Sequence, residues 1–308
     1  MNHGAEPPPL GRARLVWAAG AELGEGATWD THAARLWWVD IRGRRLHRMD
    51  EAGGDRRCWE LPQEPGCVAL TDDPARVVLG LRAGVFLFEP GTGRLEPLAA
   101  PEGHAPGHRL NDGKVDPSGR FWFGTMHDEE RPAEGALHLL ERPRATVAAT
   151  RADGPYTVPN GPAFSPDGRV MYCADSPAGV VYAFDVHDGR PARKREFVRF
   201  AEGEGHPDGM TVDAEACLWV AHWGGGRVTR FAPDGRRLGR IGVPTERVTS
   251  CAFGGADLRT LFITSAGGTG SAGAGPAGGV FAARTEAAGL PPGRIRLGGW
   301  TEAPGAAL

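Results

Sequence analysis

The 308-residue chain has no apolar run long enough to span a bilayer, and its first residues, MNHGAEPPPLGRAR, lack the apolar core of a signal peptide. It has only five cysteines, at positions 58, 67, 173, 217 and 251, and no CxxC pair. An odd number of cysteines cannot all pair internally, which indicates buried thiols in a reducing compartment. We therefore expect a soluble, cytoplasmic protein that does not bind a membrane.

The chain also has little net charge, −3 at pH 7, so nothing favours binding to nucleic acid or to an anionic membrane. No charged or Ser/Pro-rich linker divides it, and no long window shows a helical apolar period. Glycine (47) and proline (26) are abundant and spread throughout, which indicates many short strands joined by tight turns. We expect a single domain over residues 13–302, with a flexible tail at residues 1–12 and a C-terminal tail at residues 303–308.

Six segments share one pattern: a turn with Asp, Gly or Pro, then usually Arg, then an apolar strand. They span residues 30–41, 71–81, 116–126, 165–176, 213–223 and 254–266. With Arg35, Arg76, Arg120, Arg169, Cys217 and Arg259 as anchors, successive repeats are 41, 44, 49, 48 and 42 residues apart. A period of about 40–50 residues with several strands per unit is typical of a β-propeller.

The repeat therefore predicts an all-β, six-bladed β-propeller with four-stranded antiparallel blades. The early strand Arg14–Trp17 is expected to complete the last blade beside residues 294–297. This arrangement would close the ring and remove exposed sheet edges. A two-sheet sandwich is the alternative architecture, but it does not require a regular sixfold period.

Asparagine is scarce: beyond one residue near the N terminus, the chain contains only Asn111 and Asn160. Each lies nine residues before the anchor of its repeat, and Asp208 and Ser250 hold the same position in later repeats. Glu25 lies ten residues before the first anchor. In a propeller the strand leading into this turn lines the central channel. These side chains are therefore predicted to form a ring at one channel mouth.

The predicted ring combines two carboxylates, Glu25 and Asp208, with the carboxamides of Asn111 and Asn160. Hard oxygen ligands of this kind suit Ca²⁺, Mg²⁺ or Mn²⁺ and also accept Zn²⁺ or Fe²⁺. Three protein ligands leave coordination positions open to water or substrate, as a catalytic metal requires. Alternatively, the Asn-Gly and Asp-Gly pairs are only turn formers, but four such residues in one register favour a site.

The same positions carry a resemblance to a known family, the regucalcin (senescence-marker protein) and gluconolactonase group. Residues 23–29 (LGEGATW) and 36–41 (LWWVDI) resemble its opening motif, and residues 109–117 (RLNDGKVDP) with 124–126 (GTM) are similar to its substrate segment. The match is completed by residues 159–161 (PNG), 207–210 (PDGM) and 249–255 (TSCAFGG). The resemblance implies a six-bladed propeller that hydrolyses sugar lactones with one divalent metal ion.

By this resemblance, the metal ligands are Glu25, Asn160 and Asp208. Arg109 and Asn111 would bind the hydroxyl groups of the substrate or the carboxyl group of its lactone.

A further substrate-contacting acid of the family matches Glu129, in the loop after the third repeat's strand. A small shift of this loop would put Asp128 or Glu130 in that role instead. Two histidines nearby, His104 and His108, are expected to be solvent-exposed loop residues.

The expected chemistry is attack of water on a lactone carbonyl that the metal polarises. Asp208 would take the proton of the water and return it to the leaving ring oxygen, so Asp208→Ala should abolish turnover. Two alternatives use the same ring: a non-catalytic calcium-binding or ligand-sensing propeller, and a broader ester or organophosphate hydrolase. The partner is expected to be a small-molecule sugar lactone, and the protein a monomer or weak homo-oligomer.

Overall fold

The structure is a computed structural model that describes residues 7–131, 133–141, 149–268 and 276–298. In that part of the chain it contains 25 β-strands in six sheets and no helix. The six-bladed all-β propeller predicted from the repeat is therefore confirmed. No helix among the described residues could cross a membrane.

Each blade runs outward from an innermost strand at the channel. The innermost strands of blades one to six are β3 (Gly24–Asp30), β7 (Pro65–Leu70), β11 (His108–Val115), β15 (Pro159–Phe164), β19 (His206–Val212) and β23 (Val248–Gly254). The second strands are β4 (Arg35–Asp40), β8 (Val77–Leu81), β12 (Phe121–His127), β16 (Val170–Asp175), β20 (Leu218–Trp223) and β24 (Thr260–Ser265).

The third strands, again in blade order, are β5 (Arg45–Asp50), β9 (Gly84–Glu89), β13 (Gly135–Leu140), β17 (Val180–His187), β21 (Arg227–Phe231) and β25 (Val280–Arg284). The outermost strands are β6 (Arg57–Glu60), β10 (Arg94–Ala99), β14 (Thr150–Tyr156), β18 (Arg190–Arg199), β22 (Arg237–Gly242) and, in blade six, β2 (Arg14–Trp17). Neighbouring innermost strands contact one another around the channel, and β23 packs against β3 to close the ring.

The N-terminal strand completes the last blade, as predicted, but with a different partner. Arg14–Trp17 pairs antiparallel with Val280–Arg284 and not with residues 294–297. Ile295 instead forms a parallel bridge with Thr71 of blade two. The predicted pairing was wrong because, after β25, the chain leaves the last blade and crosses to the opposite side of the ring.

The first described residues add a fifth strand to blade five. This strand, β1 (Pro9–Arg12), pairs parallel with Arg237–Gly242 along the outer edge of the blade. The structure thus places part of the segment that we assigned to the N-terminal tail in a sheet. Residues 1–6 and 299–308, which include the whole predicted C-terminal tail, lie outside the described residues.

In blades three and five, a buried carboxylate at the turn accounts for the Asp of the repeat pattern. Asp116 accepts hydrogen bonds from backbone N–H groups of its own turn and from Trp122 Nε1 over 3.1 Å. Asp213 does the same in blade five, where Trp219 Nε1 donates over 2.9 Å. Both indoles are almost completely buried. A carboxylate that satisfies a buried indole and a turn backbone fixes the strand register on both sides.

Candidate metal and substrate site at the channel mouth

All six innermost strands lose regular pairing with their second strands at the same level of the channel. The interruptions lie at Glu25/Thr28, Pro65/Cys67, Leu110/Gly113, Asn160/Ala163, Pro207/Met210 and Val248/Cys251. Such bulges redirect side chains out of the sheet plane. They occur at the residues for which the sequence predicts the ring, and they account for its orientation toward the channel.

Two carboxyl groups from opposite parts of the chain meet in this ring. Glu25 and Asp208 are 6% and 4% exposed, respectively. Burial, followed by the nearby carboxylates of Asp208 and Asp112, raises the pKa of Glu25 well above its ordinary value. Burial, followed by Asp112, also raises the pKa of Asp208 well above its ordinary value, and a hydrogen bond with Glu25 offsets part of this rise.

The carboxamide of Asn160 lies in the same ring. Asn160 Oδ1 accepts a hydrogen bond from Asn111 Nδ2 over 2.8 Å, and Asn160 Nδ2 donates to Ser176 Oγ over 2.8 Å. Asn111 Nδ2 also donates to the carbonyl of Pro159 over 3.0 Å. Both amide hydrogens of Asn111 are therefore bonded within the protein, and only its oxygen is left to accept a hydrogen bond from a substrate hydroxyl.

The donor set of this ring fits a divalent cation. Within the described residues, no group of three or more His, Cys, Asp or Glu side chains is placed to hold a metal. The third oxygen ligand that the ring offers beside the two carboxylates is the amide oxygen of Asn160. Among the described residues, neither Glu25 nor Asp208 forms an ion pair with Lys or Arg, and the carboxylate of Asp208 disfavours ionisation of Glu25. A bound cation would remove that penalty.

Arg109 lies beside the ring. The residue is 2% exposed, and its Nη1 donates to Asn111 Oδ1 over 2.7 Å and to the carbonyl of Leu110 over 3.1 Å. Its Nε has no hydrogen-bond partner among the described residues and lies 3.9 Å from Asp128 Oδ1. A buried donor without a partner is costly, and a substrate hydroxyl or carboxyl oxygen would satisfy it.

The three acidic side chains of the loop after β12 lie in different surroundings. Glu129 is exposed, and its backbone N–H donates to His127 Nδ1 over 3.2 Å. Asp128 lies beside Arg109 and is bonded to Arg82. Glu130 contributes to the raised pKa of Asp208. Of the two acids that the sequence left as alternatives to Glu129, Asp128 thus interacts with Arg109 and Glu130 with Asp208 of the ring.

The rim of the site on this side is a network of paired charges. Arg82 donates to Asp128 over 2.6 Å and to Glu64 over 3.0 Å. Arg42 donates to Glu64 over 3.1 Å and lies 3.9 Å from Glu130. The arginines at the rim therefore already have carboxylate partners.

Other expectations about nearby residues need correction. His104 and His108 are half-buried rather than exposed. His108 begins β11 and pairs with His127 of β12, and the two imidazole rings lie 5.2 Å apart. The cysteines are all free, and four are buried as expected, but Cys58 is exposed on an outermost strand.

Sequence reasoning missed two residues next to the ring. Asp112 is 5% exposed and accepts hydrogen bonds from the N–H groups of Gly113 over 2.8 Å and Gly161 over 3.1 Å. Ser176 joins Asn160 to the carbonyl of Pro207. Asp112 adjoins Asn111 and could have been proposed from the motif. Nothing in the sequence marks Ser176.

A cavity of about 380 Å³ opens at the other end of the channel. Its walls are largely apolar, and Lys114 is the only charged residue among its described lining residues. Lys114 Nζ donates to the carbonyl of Met210 over 2.7 Å. This end lacks the oxygen ligands of the ring, so we place the functional site at the opposite mouth.

The fold and the ring define a class of six-bladed propellers that gather acidic and amide side chains at one channel mouth. Comparison with known proteins identifies the family: a model of the SMP-30/gluconolactonase/LRE-like region matches residues 23–267. The chain belongs to this family, which confirms the resemblance noted from its motifs.

Individual relatives are similar over most of their length. The chain is 41% identical over 246 residues to the 6-deoxy-6-sulfogluconolactonase of Pseudomonas putida, covering 79% of this chain and 83% of that protein. It is 39% identical over 288 residues to the L-arabinolactonase of Azospirillum brasilense, covering 92% and 95%. Among solved structures, a calcium-binding protein, regucalcin, from Agrobacterium tumefaciens superposes with a TM-score of 0.87 at 29% identity, covering 96% and 100%.

Proposed function

We propose that the protein hydrolyses a neutral sugar lactone to the corresponding aldonic acid, with one divalent cation held by Glu25, Asn160 and Asp208. Its relatives include two proteins named as sugar lactonases, which act on carboxylic esters. The observation that carries the proposal is the buried pair Glu25 and Asp208, each with a raised pKa, beside an amide oxygen. Such a pair is unfavourable in isolation and suits a cation and proton transfer.

A divalent cation bound to these residues would polarise the lactone carbonyl and stabilise the negative charge that develops on its oxygen. Ca²⁺, Zn²⁺, Mn²⁺, Mg²⁺ and Fe²⁺ are all compatible with two carboxylates and one amide oxygen. The solved relative described as calcium-binding makes Ca²⁺ the first ion to test.

Asp208 is proposed to move the proton. It removes a proton from the water that attacks the carbonyl carbon and returns it to the ring oxygen as the C–O bond breaks. A carboxylate beside both the cation and the lactone carbonyl can carry this proton between the two oxygens. Glu25 is proposed to act only as a negatively charged ligand.

Arg109 is proposed to bind the substrate through its unpartnered Nε. Asn111 holds the guanidinium group of Arg109 and offers its oxygen to a substrate hydroxyl. The acidic contact that we predicted for Glu129 is proposed to come from the loop at residues 128–130. Asp128 lies beside Arg109, and the carboxylate of Glu130 contributes to the raised pKa of Asp208.

The paired charges at the rim favour a neutral substrate. Arg42 and Arg82 are bonded to Glu64 and Asp128, so an anionic substituent would have to break these pairs to gain a counter-ion. We therefore propose neutral hexonolactones or pentonolactones as substrates. The relative named for a sulfonated lactone indicates that this preference varies within the family.

We further propose that the protein acts on a small molecule in the cytoplasm, as a monomer or weak homo-oligomer. Its five free cysteines are in keeping with a reducing compartment.

One alternative has a specific observation in its favour. The similar solved structure is described as a calcium-binding protein, so the same ring could bind calcium without catalysis. The experiment that separates the two is acid release from gluconolactone, xylonolactone and arabinolactone, measured above the uncatalysed rate with each divalent cation in turn. Hydrolysis supports the enzyme. A protein that binds Ca²⁺ but hydrolyses none of these lactones is a binding protein.

A further inference from the structure

Four hydrogen bonds form a continuous chain across blades three, four and five. Arg109 Nη1 donates to Asn111 Oδ1 over 2.7 Å, and Asn111 Nδ2 donates to Asn160 Oδ1 over 2.8 Å. Asn160 Nδ2 then donates to Ser176 Oγ over 2.8 Å. Ser176 Oγ donates to the carbonyl of Pro207 over 2.6 Å. The chain begins at the proposed substrate arginine and ends at the residue before Asp208.

The direction of every bond in this chain is fixed by its two ends. A guanidinium group can only donate, so Asn111 must turn its oxygen toward Arg109 and its NH₂ group toward Asn160. A carbonyl oxygen can only accept, so the hydroxyl hydrogen of Ser176 points to Pro207. Ser176 can then only accept from Asn160. The bond that Asn160 accepts from Asn111 and the bond that it donates to Ser176 both place its oxygen toward the ring and its NH₂ group away from it.

The backbone of Ser176 is held from several sides. Its N–H donates to the carbonyl of Val158 over 3.1 Å, and its carbonyl accepts from Gly179 N over 3.0 Å. The imidazole of His206 also contacts this carbonyl, with Nδ1 at 3.0 Å. The preceding residue, Asp175, bonds the backbone N–H groups of Thr157 and Val158. The hydroxyl group therefore occupies a fixed point between Asn160 and Pro207.

We propose that Ser176 is a positioning residue for cation binding: it holds the Asn160 carboxamide with its oxygen toward the ring. The inference rests on the proposed cation site but adds a residue that touches neither substrate nor cation. An amide presents either an oxygen or an NH₂ group to a cation, and only the oxygen is a ligand. Loss of the Ser176 hydroxyl removes one of the two constraints on this choice and leaves Asn160 Nδ2 without its acceptor.

Another serine of blade four, Ser165, offers a matched control. Ser165 accepts a hydrogen bond from Val170 N over 2.9 Å and donates to Asp167 Oδ1 over 2.7 Å. Like Ser176, it therefore loses one accepted and one donated hydrogen bond when replaced by alanine. It lies at the turn between β15 and β16, at the opposite end of the blade from the ring.

The test is calorimetric titration of chelator-treated protein with Ca²⁺, and then with Mn²⁺ and Zn²⁺, in wild type, Ser176→Ala, Ser176→Thr and Ser165→Ala. We expect Ser176→Ala to weaken cation binding about tenfold, the lower end of the effect of removing a residue that orients a metal ligand. Ser176→Thr should retain most of the affinity, because its hydroxyl can make both bonds. Ser165→Ala should bind as wild type does, although both alanine variants lose thermal stability.

The outcomes separate this inference from the proposed function. If wild type binds a cation and Ser176→Ala binds it equally well, the positioning role is wrong and the proposed function is untouched. The role is also wrong if Ser165→Ala loses as much affinity, because the effect is then one of general stability. If wild type binds none of the three cations, the cation site itself is wrong, and the positioning role falls with it. Should Ser176→Ala not fold, Ser176→Cys replaces it, because a thiol is a weaker donor and acceptor.

Discussion

The carboxyl groups of Glu25 and Asp208 come from the first and fifth blades and meet at the channel mouth, where Asp208 adds to the effect of burial in raising the pKa of Glu25. Two buried carboxylates beside one another oppose folding, since each must lose hydration near a like charge. The propeller brings them together in spite of this cost. A site that is unfavourable without its ligand is typical of function rather than of stability.

The first prediction concerns this cost. In chelator-treated protein, Asp208→Asn should raise the melting temperature by about 2 °C or more, because it removes one of two like charges and lets the new amide donate to Glu25. Adding Ca²⁺ should stabilise wild type and leave Asp208→Asn almost unchanged. Thermal unfolding followed by circular dichroism, with and without Ca²⁺, gives both values. A lower melting temperature for the variant in chelator would contradict the like-charge account.

The second prediction concerns substrate binding. Arg109→Ala should raise KM for a neutral lactone by roughly tenfold, because a charge-assisted hydrogen bond to the substrate is worth about 1.5–3 kcal/mol. We expect kcat to fall less than KM rises. The control is Arg199→Ala, which removes an exposed arginine that pairs with Glu196 on an outermost strand. A variant with unchanged KM and a lowered kcat would assign Arg109 to the chemical step instead.

The third prediction concerns the paired charges at the rim. Glu64→Gln leaves Arg42 and Arg82 with less compensation, so hydrolysis of an anionic lactone should improve relative to a neutral one. A gain of about two- to fivefold in the ratio of kcat/KM values is expected, since partly exposed pairs contribute up to about 1 kcal/mol. The measurement compares 6-phosphogluconolactone with gluconolactone at low salt. Glu96→Gln, which affects an exposed pair with Arg94, should leave the ratio unchanged.

The fourth prediction concerns acid stability. Burial lowers the pKa of His47 and of His138 from 6.5 to about 4, and that of His222 from 6.5 to about 3. Below pH 6.5 these histidines bind protons in the unfolded chain, whereas in the folded protein they stay neutral until the pH nears their lowered pKa values. The free energy of unfolding should therefore fall as the pH falls from 6.5 toward 4. His47 is stacked on Trp38 with ring centroids 4.1 Å apart, and in the described part of the chain neither ring nitrogen has a hydrogen-bond partner.

His47→Phe should therefore keep the packing and remove part of the acid sensitivity, up to about 3 kcal/mol by pH 4, at about 1.4 kcal/mol per pKa unit. Denaturant unfolding of chelator-treated protein at pH 7, 5.5 and 4.5 measures the difference. His187→Phe, at an exposed position, serves as the control. If wild type and His47→Phe lose stability with the same dependence on pH, His47 does not titrate as described.

The sequence predicts the blades and the ring because both have a periodic signal. The turn carboxylates recur with the apolar strands that follow them, and the internal asparagines occupy the same place in two successive repeats. A side chain that every repeat must place at the channel is visible in a comparison of the chain with itself. The fold and the candidate ring could be predicted together for this reason.

Contacts without such a period could not be predicted. The parallel pairing of Pro9–Arg12 with blade five and the bridge between Ile295 and Thr71 depend on where the ends of the chain cross the finished ring. The bond between Asn160 and Ser176 joins a ring residue to a turn whose position only the folded blade determines. The rim ion pairs likewise join loops of different blades, and loop geometry is set by tertiary contacts.

The most direct test of the account is the rate of acid release from gluconolactone by chelator-treated protein, measured as a divalent cation is added back to wild type and to Asp208→Ala. The account predicts no rate above the uncatalysed reaction for wild type without a cation, recovery as the cation is restored, and no recovery for Asp208→Ala at any concentration. Near-normal hydrolysis by Asp208→Ala, or full activity of wild type in the complete absence of a cation, would contradict it.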